Sequence, residues 1–360
     1  MTGFQAGWLS VMRGQGARHQ KRHRSCGTAP IFGIITALPE EFAAMRSFTD
    51  DPQRANVEGD RADYIVGTMP SADRGRAHTV ALTILSETGN DAAASACTNL
   101  LRSYRSVRCL VMAGIAAGVP DPGRPDRHVR LGDIVVARGI AEYDRVREND
   151  DGPASRRSFP PPSSLLERRA RLLQAGEMTG DRPWEDLLAG QTRRFPRFSR
   201  PPASTDVLYS SDGSDSQLQH PDMALSGHRP GQPKVHSGLI ASGDRSLRSA
   251  RKRDDIAASY DVLAIEMEGK GIGNTGLYEG VEWFTVRGIS DYGDRHVTPA
   301  WRSYASMAAA AYVRALLAIT PAAADGGPNR RLGCEPTEPY GPRSPGAPGR
   351  QSSSPLQLPA

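Results

Sequence analysis

Between residues 31 and 319, apolar strand-like runs alternate with helix-like segments, and this alternation constrains the fold more than any other feature. The run 31–38 is almost continuously apolar, which is typical of a strand buried on both faces of a parallel sheet. The next residues predict the start of a helix. Pro39 fits a first helical turn, and the acids Glu40 and Glu41 interact favourably with the dipole at a helix N-terminus. We therefore predict one α/β domain, a three-layer fold whose central mixed, mostly parallel sheet is flanked by helices.

The two ends of the chain are polar and carry most of its positive charge. Residues 1–30 hold five Lys and Arg residues and no acid, while residues 321–360 are rich in Pro, Gly and Ser and hold four Arg against three acids. Both compositions predict disordered tails. Subtracting the local charges of +5 and +1 from the total of +5 leaves −1 for residues 31–320, which argues against a nucleic-acid-binding face.

Residues 145–235 differ in character from the segments on either side. They are rich in Arg, Ser and Pro, and helical patterning is limited to about 164–175 and 183–190. An irregular stretch as long as 195–235 is usually a functional lid or a disordered segment. Since the alternation of strands and helices resumes afterwards, we predict an insertion at about 145–235 within a single domain spanning 31–320.

The four cysteines are scattered, without a C-x-x-C pair or a His at ligand spacing. This pattern excludes a disulfide framework and a zinc ribbon and fits a reducing compartment. The N-terminal segment lacks the apolar core of a signal peptide, and no run approaches the roughly 18 apolar residues of a membrane span. We therefore expect a cytoplasmic protein without a membrane partner.

Acidic side chains stand where several of the predicted strands end. Glu266 and Glu268 close an apolar run that begins at Leu263. Glu41 follows the first strand and Asp291 follows the last one. Two acids at one strand end could serve only to favour a helix N-terminus. Ligands of open α/β sheets bind beyond the carboxyl ends of the strands, however, so acids at several such ends predict a shared binding site.

Several carboxylates without a metal-ligand cluster favour cleavage of a glycosidic bond. Its oxocarbenium-like transition state is stabilised by carboxylates, and an acid with a raised pKa protonates the leaving group. The sequence offers no His or Asp cluster of the kind that common metal sites show, so we predict neither a metal nor a cofactor. It also lacks the G-x-S-x-G motif of a Ser-His-Asp hydrolase.

Six segments in chain order resemble the purine nucleoside phosphorylase/uridine phosphorylase superfamily. Within it they are most similar to the 5′-methylthioadenosine/S-adenosylhomocysteine nucleosidases and to the versions of this domain that accompany defence ATPases. The resemblance extends over about 31–145 and 235–319. The segments are Ile34 to Glu41, Ala113 to Gly118, Gly132 to Val136, Ser242 to Asp244, Ile265 to Gly269 and Arg287 to Asp291.

The resemblance implies a role for each matching residue. Glu41 matches the base that activates water, and Glu268 matches the carboxylate that binds the ribose 2′-hydroxyl. Asp291 matches the acid that protonates the purine, with Ser290 orienting it. The other residues implied in substrate binding are Ala113, Gly114, Ile115, Ser242, Leu247, Glu266 and Met267.

The implied activity is hydrolytic release of a free base from a purine nucleoside or nucleotide. The alternatives are phosphorolysis, cleavage of ATP or another nucleotide by a defence effector, and a binding module without turnover. Phosphorolysis is disfavoured because the positions where the phosphorylases carry phosphate-binding arginines have none here; Glu87 to Asn90 occupy one of them. The resemblance also implies a homo-oligomer, for which we predict a dimer.

The segment 145–235 leaves further alternatives open. Its arginines either bind the phosphates of a nucleotide or belong to a solvated basic loop; they are Arg193, Arg194, Arg197, Arg200 and Arg229. Trp184 and His220 either pack within the loop or contact substrate. Ser246 stands where the nucleosidases often stack a Phe on the base.

Overall fold

The computed structural model describes residues 29–150, 152–155 and 161–322. The predicted tails, 1–30 and 321–360, therefore lie almost entirely outside the described residues. The strands are β1 Phe32–Thr36, β2 Asp50–Ala55, β3 Tyr64–Met69, β4 His78–Ile84, β5 Cys109–Gly118, β6 Ile134–Glu142, β7 Val146–Asn149, β8 Gly152–Ser155, β9 Leu208–Tyr209, β10 Gln217–Leu218, β11 Val235–Ser242, β12 Val262–Glu266 and β13 Glu282–Asp291. The α-helices are α1 Pro39–Ser47, α2 Asn90–Ser103, α3 Ser164–Met178, α4 Pro183–Arg194, α5 Met223–Ser226, α6 Ala250–Tyr260, α7 Gly269–Glu279 and α8 Arg302–Ala318.

Nine of these strands form one mixed sheet in the order β12-β11-β6-β13-β5-β1-β4-β3-β2. The pairs from β4 through β1 and β5 to β13 are parallel, as are those joining β6, β11 and β12. Antiparallel pairing joins β13 to β6 and adds β3 and β2 at one edge. The predicted α/β fold with a mixed sheet and a parallel centre is confirmed.

Strand β5 is longer than the sequence predicts, and its extra length shapes the active end of the sheet. The sequence suggests a short strand, Cys109 to Gly114, that opens into a turn; this prediction is wrong, because the strand continues to Gly118. Its last residues pair with β13 on one side and, antiparallel, with Ala264 and Ile265 of β12 on the other. Both β12 and β13 can approach this end of β5 because its residues, Ala116, Ala117 and Gly118, are small. The five strands β12, β11, β6, β13 and β5 thereby close on themselves and gather their acidic ends.

The helices pack closely on this sheet. Helix α8 is buried along most of its length, and its alanines allow the approach. Gly288 of β13 faces it so closely that an added Cβ would meet the carbonyl oxygen of Ala305. Helix α4 packs on α8 in turn, and its Trp184 is buried with its ring 5.5 Å from that of Tyr312. No helix among the described residues is both long and apolar enough to cross a membrane.

Candidate active site

A cavity of about 250 Å³ opens at the edge of the sheet where the acid-bearing strands end. Four acidic side chains line it: Glu41 at the start of α1, Glu266 and Glu268 at the end of β12, and Asp291 at the end of β13. The predicted convergence of strand ends therefore occurs in the structure. Among the predicted binding residues, Ile115, Leu247, Met267 and Ser290 also line this cavity.

Glu41 is held rigidly by backbone donors. The N–H groups of Ala37 and Leu38 donate to its Oε2 at 2.6 and 3.0 Å, and the N–H of Ile115 donates to its Oε1 at 2.8 Å. The first two bonds are local, since Glu41 lies in the first turn of α1 and folds back on the residues before the helix. Burial raises the pKa of Glu41, although the charge of Arg287 and these three hydrogen bonds oppose the shift. The result is a fixed carboxylate with increased basicity.

Arg287 of β13 is the charge that the sequence analysis left without a role. Its side chain is fully buried, and its Nη2 donates to Oε2 of Glu266 and, at 3.1 Å, to Oε2 of Glu268. Nη1 and Nε have no hydrogen-bond partner within the described part of the protein. A Cβ added to Gly114 would meet Nη1 and would lie 2.6 Å from Oε1 of Glu41, so this glycine leaves space between the two charged groups. The signal in the sequence was an arginine inside an otherwise apolar run, because a buried charge needs partners.

Glu268 has a strongly perturbed pKa. Its Oε1 accepts the N–H of Gly89 at 3.2 Å, and the side chain is almost completely buried. Burial raises the pKa of Glu268 to about 7, the nearby charges of Glu266 and Glu41 add to this rise, and Arg287 opposes it. Perturbed carboxyl groups of this kind concentrate at functional sites.

Asp291 is oriented by its immediate neighbours. The hydroxyl of Ser290 donates to its Oδ2 at 2.8 Å, and the N–H of Gly293 donates to its Oδ1 at 2.9 Å. Both bonds fix the carboxyl group at the end of β13, where it lines the cavity. The predicted pairing of Ser290 with Asp291 is present in the structure.

Three predicted binding residues do not line the cavity. Ala113 and Gly114 are buried in β5, beside the residues that do. Ser242 is fully buried, and its Oγ donates to Oδ1 of Asn90 at 3.1 Å and accepts the N–H of Lys270 at 3.1 Å. Ser242 therefore joins the N-terminal ends of α2 and α7 behind Glu268.

The arginines that reach the cavity are not those of the segment 145–235. Arg245, Arg248 and Arg302 line it, together with Ser246 and Leu247. Within the described ranges none of these three arginines forms an ion pair, and the buried Nε of Arg302 has no partner.

The arginines of the segment 145–235 that have assigned contacts are engaged elsewhere. Arg200 lies over the rings of Trp301 and Tyr304, at 4.9 and 5.1 Å, and Arg229 pairs with Glu185. Neither Arg200 nor Arg229 lines the cavity, so of the two alternatives, phosphate binding and a solvated basic loop, the first is not supported for these two residues.

One buried cluster has the composition of a metal site. Asp133, His228 and His236 each place a ligating atom within 4.8 Å of the others. These atoms already bond to one another, since both Nε2 atoms lie on Oδ2 of Asp133, at 2.8 and 3.0 Å, while the N–H of Lys234 donates to Oδ1 at 2.9 Å. Burial alone would raise the pKa of Asp133, but the bonds from the two imidazoles lower it well below its ordinary value. These bonds join Asp133, the residue before β6, to β11 and to the segment after α5, and the cluster lies outside the cavity.

Comparison with known proteins identifies relatives by sequence. A nucleotide-binding leucine-rich repeat (NLR)-like protein of Hyaloscypha variabilis is 29% identical over 80% of this chain, which spans only 29% of that protein. A 5′-methylthioadenosine/S-adenosylhomocysteine nucleosidase of Mycobacterium bovis is 26% identical, over 81% of this chain and 98% of the relative. The ATP nucleosidase Cap17 of Escherichia coli is 24% identical, over 84% of this chain and 53% of the relative.

The fold is also similar to that of a solved structure. The 5′-methylthioadenosine/S-adenosylhomocysteine nucleosidase of Helicobacter pylori superposes with a TM-score of 0.55 at 15% identity, covering 81% of this chain and 98% of that one. Residues 31–318 match the phosphorylase superfamily as a whole. The matched range includes all nine strands of the large sheet, helices α1 to α8 and the four acids that line the cavity. The chain therefore belongs to the phosphorylase superfamily.

Proposed function

We propose that this protein hydrolyses the N-glycosidic bond of a purine nucleoside or nucleotide and releases the free base. The observation that carries the proposal is a cavity lined by Glu41, Glu266, Glu268 and Asp291, together with the buried Arg287 that is bonded to Glu266 and Glu268. This arrangement offers separate carboxyl groups for a base, a sugar contact and an acid. Nucleosidases among the relatives support the same reaction.

Glu268 is proposed to bind the ribose. Its carboxylate accepts a hydrogen bond from the 2′-hydroxyl, and this bond strengthens as positive charge develops on the sugar. The contacts to Gly89 and Arg287 fix its position in advance. Met267 lines the cavity between the two acids and supplies an apolar surface for the sugar.

Glu41 is proposed to activate the attacking water. Burial raises its pKa, and a stronger base removes a proton from water more readily. The water oxygen forms a bond to C1′ while its proton passes to Glu41. Nη1 of Arg287, which has no hydrogen-bond partner among the described residues, lies near the same point as Oε1 of Glu41, and we propose that it helps to orient the water.

Asp291 is proposed to protonate the leaving base. As the bond between C1′ and the purine nitrogen breaks, its electron pair passes to the ring, and a proton from Asp291 neutralises the ring at N7. Ser290 and the N–H of Gly293 set the direction of the carboxyl group. A general acid of this kind contributes about 10² to 10⁴ in rate.

Water fits this site better than phosphate as the nucleophile. Glu41, Glu266 and Glu268 surround the proposed position of attack, and Arg287 is already bonded to two of them. A phosphate dianion placed there would meet three carboxylates and one engaged arginine, an arrangement that costs electrostatic energy. We therefore propose hydrolysis over phosphorolysis.

The three cavity arginines favour a phosphorylated 5′ group. Arg245, Arg248 and Arg302 form no ion pair with a carboxylate of the described residues, and arginine forks match phosphate oxygens well. An ATP nucleosidase among the relatives acts on such a substrate. An unphosphorylated 5′-thioether nucleoside would leave these charges unused, so we propose a nucleotide as the better substrate.

A substrate panel tests both levels of the proposal. The protein is incubated with methylthioadenosine, adenosine, AMP and ATP, and free base is measured by chromatography. Release of base with kcat/KM rising from adenosine to ATP supports the account. Release from all four at equal rates contradicts only the phosphate preference, whereas no release from any of them contradicts the proposed function. A homodimer, implied by the superfamily resemblance, is a separate proposal that light scattering tests.

A further inference from the structure

We infer that Tyr292 and Asp206 form a buried tether that positions Asp291 for proton donation. The inference rests on the proposed role of Asp291 as general acid. The phenolic hydroxyl of Tyr292 donates to Oδ1 of Asp206 at 2.6 Å, and both side chains are buried. Tyr292 directly follows Asp291, so a bond that fixes its ring also fixes the backbone that carries the acid.

Tyr292 is held at its backbone as well as at its ring. The buried Arg253 of α6 donates from Nη1 to the carbonyl oxygen of Tyr292 at 2.9 Å. On the strand side, Ile289 exchanges backbone hydrogen bonds with Gly132 and Asp133, both at 2.8 Å. The segment between these anchors contains only Ser290 and Asp291. The last two residues of β13, Ser290 and Asp291, are therefore held between an anchored residue on each side.

Asp206 is itself built into a directed hydrogen-bond chain. The N–H of Asp121 donates to Nδ1 of His128, so the proton of this neutral imidazole lies on Nε2 and faces Nδ1 of His220 at 2.9 Å. Nε2 of His220 then donates to the carbonyl oxygen of Asp206 at 3.0 Å. Arg130 adds a bond from Nε to Oδ2 of Asp206 at 2.9 Å.

These partners keep Asp206 ionised. Burial alone would raise its pKa, but the contacts with His220, the bond from Tyr292 and the charge of Arg130 lower the pKa below its ordinary value. An ionised acceptor makes a short, strong bond with a phenol. The stretch 195–235 thus contributes a positioning residue to the catalytic end of β13, although Asp206 does not line the cavity.

The test compares two leaving groups in wild type and in variants of the tether, the acid and a control residue. One substrate is an unmodified purine nucleotide that wild type cleaves, and the other is its 7-methyl derivative, whose ring is already cationic and needs no proton at N7. Tyr292→Phe removes only the hydroxyl of the tether. Asp291→Asn removes the acid itself. Tyr64→Phe is the matched control. Tyr64 is a buried tyrosine of β3 whose hydroxyl donates to Oδ2 of Asp60 at 2.7 Å, and it does not line the cavity.

We expect Tyr292→Phe to lower kcat for the unmodified substrate about tenfold or more, part of the 10² to 10⁴ that a general acid supplies, with KM nearly unchanged. Turnover of the 7-methyl substrate should change less than about twofold, and Tyr64→Phe should affect neither substrate. Asp206→Asn should likewise lower kcat more for the unmodified substrate than for the 7-methyl substrate. The double variant with Tyr292→Phe should lose little more activity than either single variant. Equal loss on both substrates, or a rise in KM with kcat intact, would overturn the inference.

The two possible failures differ in what Asp291→Asn does. If Asp291→Asn discriminates between the substrates and Tyr292→Phe does not, the tether is wrong and the proposed function stands. If Asp291→Asn lowers kcat equally for both substrates, or leaves kcat unchanged for both, the assignment of Asp291 as general acid is wrong.

Discussion

Removing one of the three clustered carboxylates should shift the pH dependence of turnover in a defined direction. The pKa of Glu268 is raised to about 7 by burial, with Glu266 and Glu41 contributing and Arg287 opposing. If ionised Glu268 grips the sugar, kcat/KM rises with pH up to that value and then reaches a plateau. Glu266→Gln deletes one contributing charge, while an amide oxygen in the place of Oε2 still accepts the N–H groups of Glu268 and Gly269.

The size of the shift follows from the geometry. Both Oε2 atoms accept from the same Nη2 of Arg287, and two unit charges roughly 5 Å apart at an effective dielectric constant of about 20 repel by about 3 kcal/mol, or about two pKa units. We treat this as an upper bound and expect the inflection to fall by at least about one unit. At pH 6 the ionised fraction of Glu268 would then rise from about a tenth to about a half, a fivefold gain relative to each variant's own plateau.

The assay is kcat/KM for base release between about pH 5 and 9. Glu282→Gln serves as the charge-matched control, because this exposed carboxylate bonds to Ser163 at 2.9 Å and does not line the cavity. Its profile should coincide with that of wild type. An inflection in Glu266→Gln that stays near 7 or moves upward would refute the coupling of the two acids, even if activity persists.

Three further substitutions test other parts of the account. Gly114→Ala places a methyl group against Arg287 and 2.6 Å from Glu41 Oε1, so we expect the protein to fold but to lose most of its activity. Gly190→Ala, at an open position of α4, is the control: it should retain activity and raise the free energy of unfolding in urea by about 0.5–1 kcal/mol. Asp291→Asn should lower base release about 10² to 10⁴-fold with an unchanged circular dichroism spectrum. Trp184→Ala should cost about 3–5 kcal/mol of unfolding free energy, because the ring is buried against α8; a loss below about 1 kcal/mol would show that α4 is dispensable.

The features predicted well from the sequence are those that periodicity and strand-end chemistry control. The buried run at 31–38 became β1, and the acids after it begin α1 as expected. Glu41 and Asp291 could be brought together in advance because β1 and β13 both run parallel to β5 and parallel strands end at one edge of a sheet. Glu268 follows β12, which pairs antiparallel with β5, so its place beside them depends on the closure of the sheet. The superfamily resemblance is confirmed by the match over residues 31–318.

Features that depend on contacts distant in sequence were missed. Strand β2, Asp50–Ala55, is a largely exposed edge strand without apolar alternation, so no local pattern predicts it. The extension of β5 depends on two neighbours that pair with its small residues. The bond between Tyr292 and Asp206 joins residues 86 positions apart, which no motif encodes.

The central claim is hydrolysis at the C1′ of a purine nucleotide or nucleoside, and its most direct test is an isotope measurement. The protein is incubated with substrate in ¹⁸O-labelled water, with and without inorganic phosphate, and the sugar product is analysed by mass spectrometry. We predict free base and a sugar carrying one ¹⁸O at C1′, with phosphate making no difference. A sugar 1-phosphate, or no release of base under either condition, would contradict it.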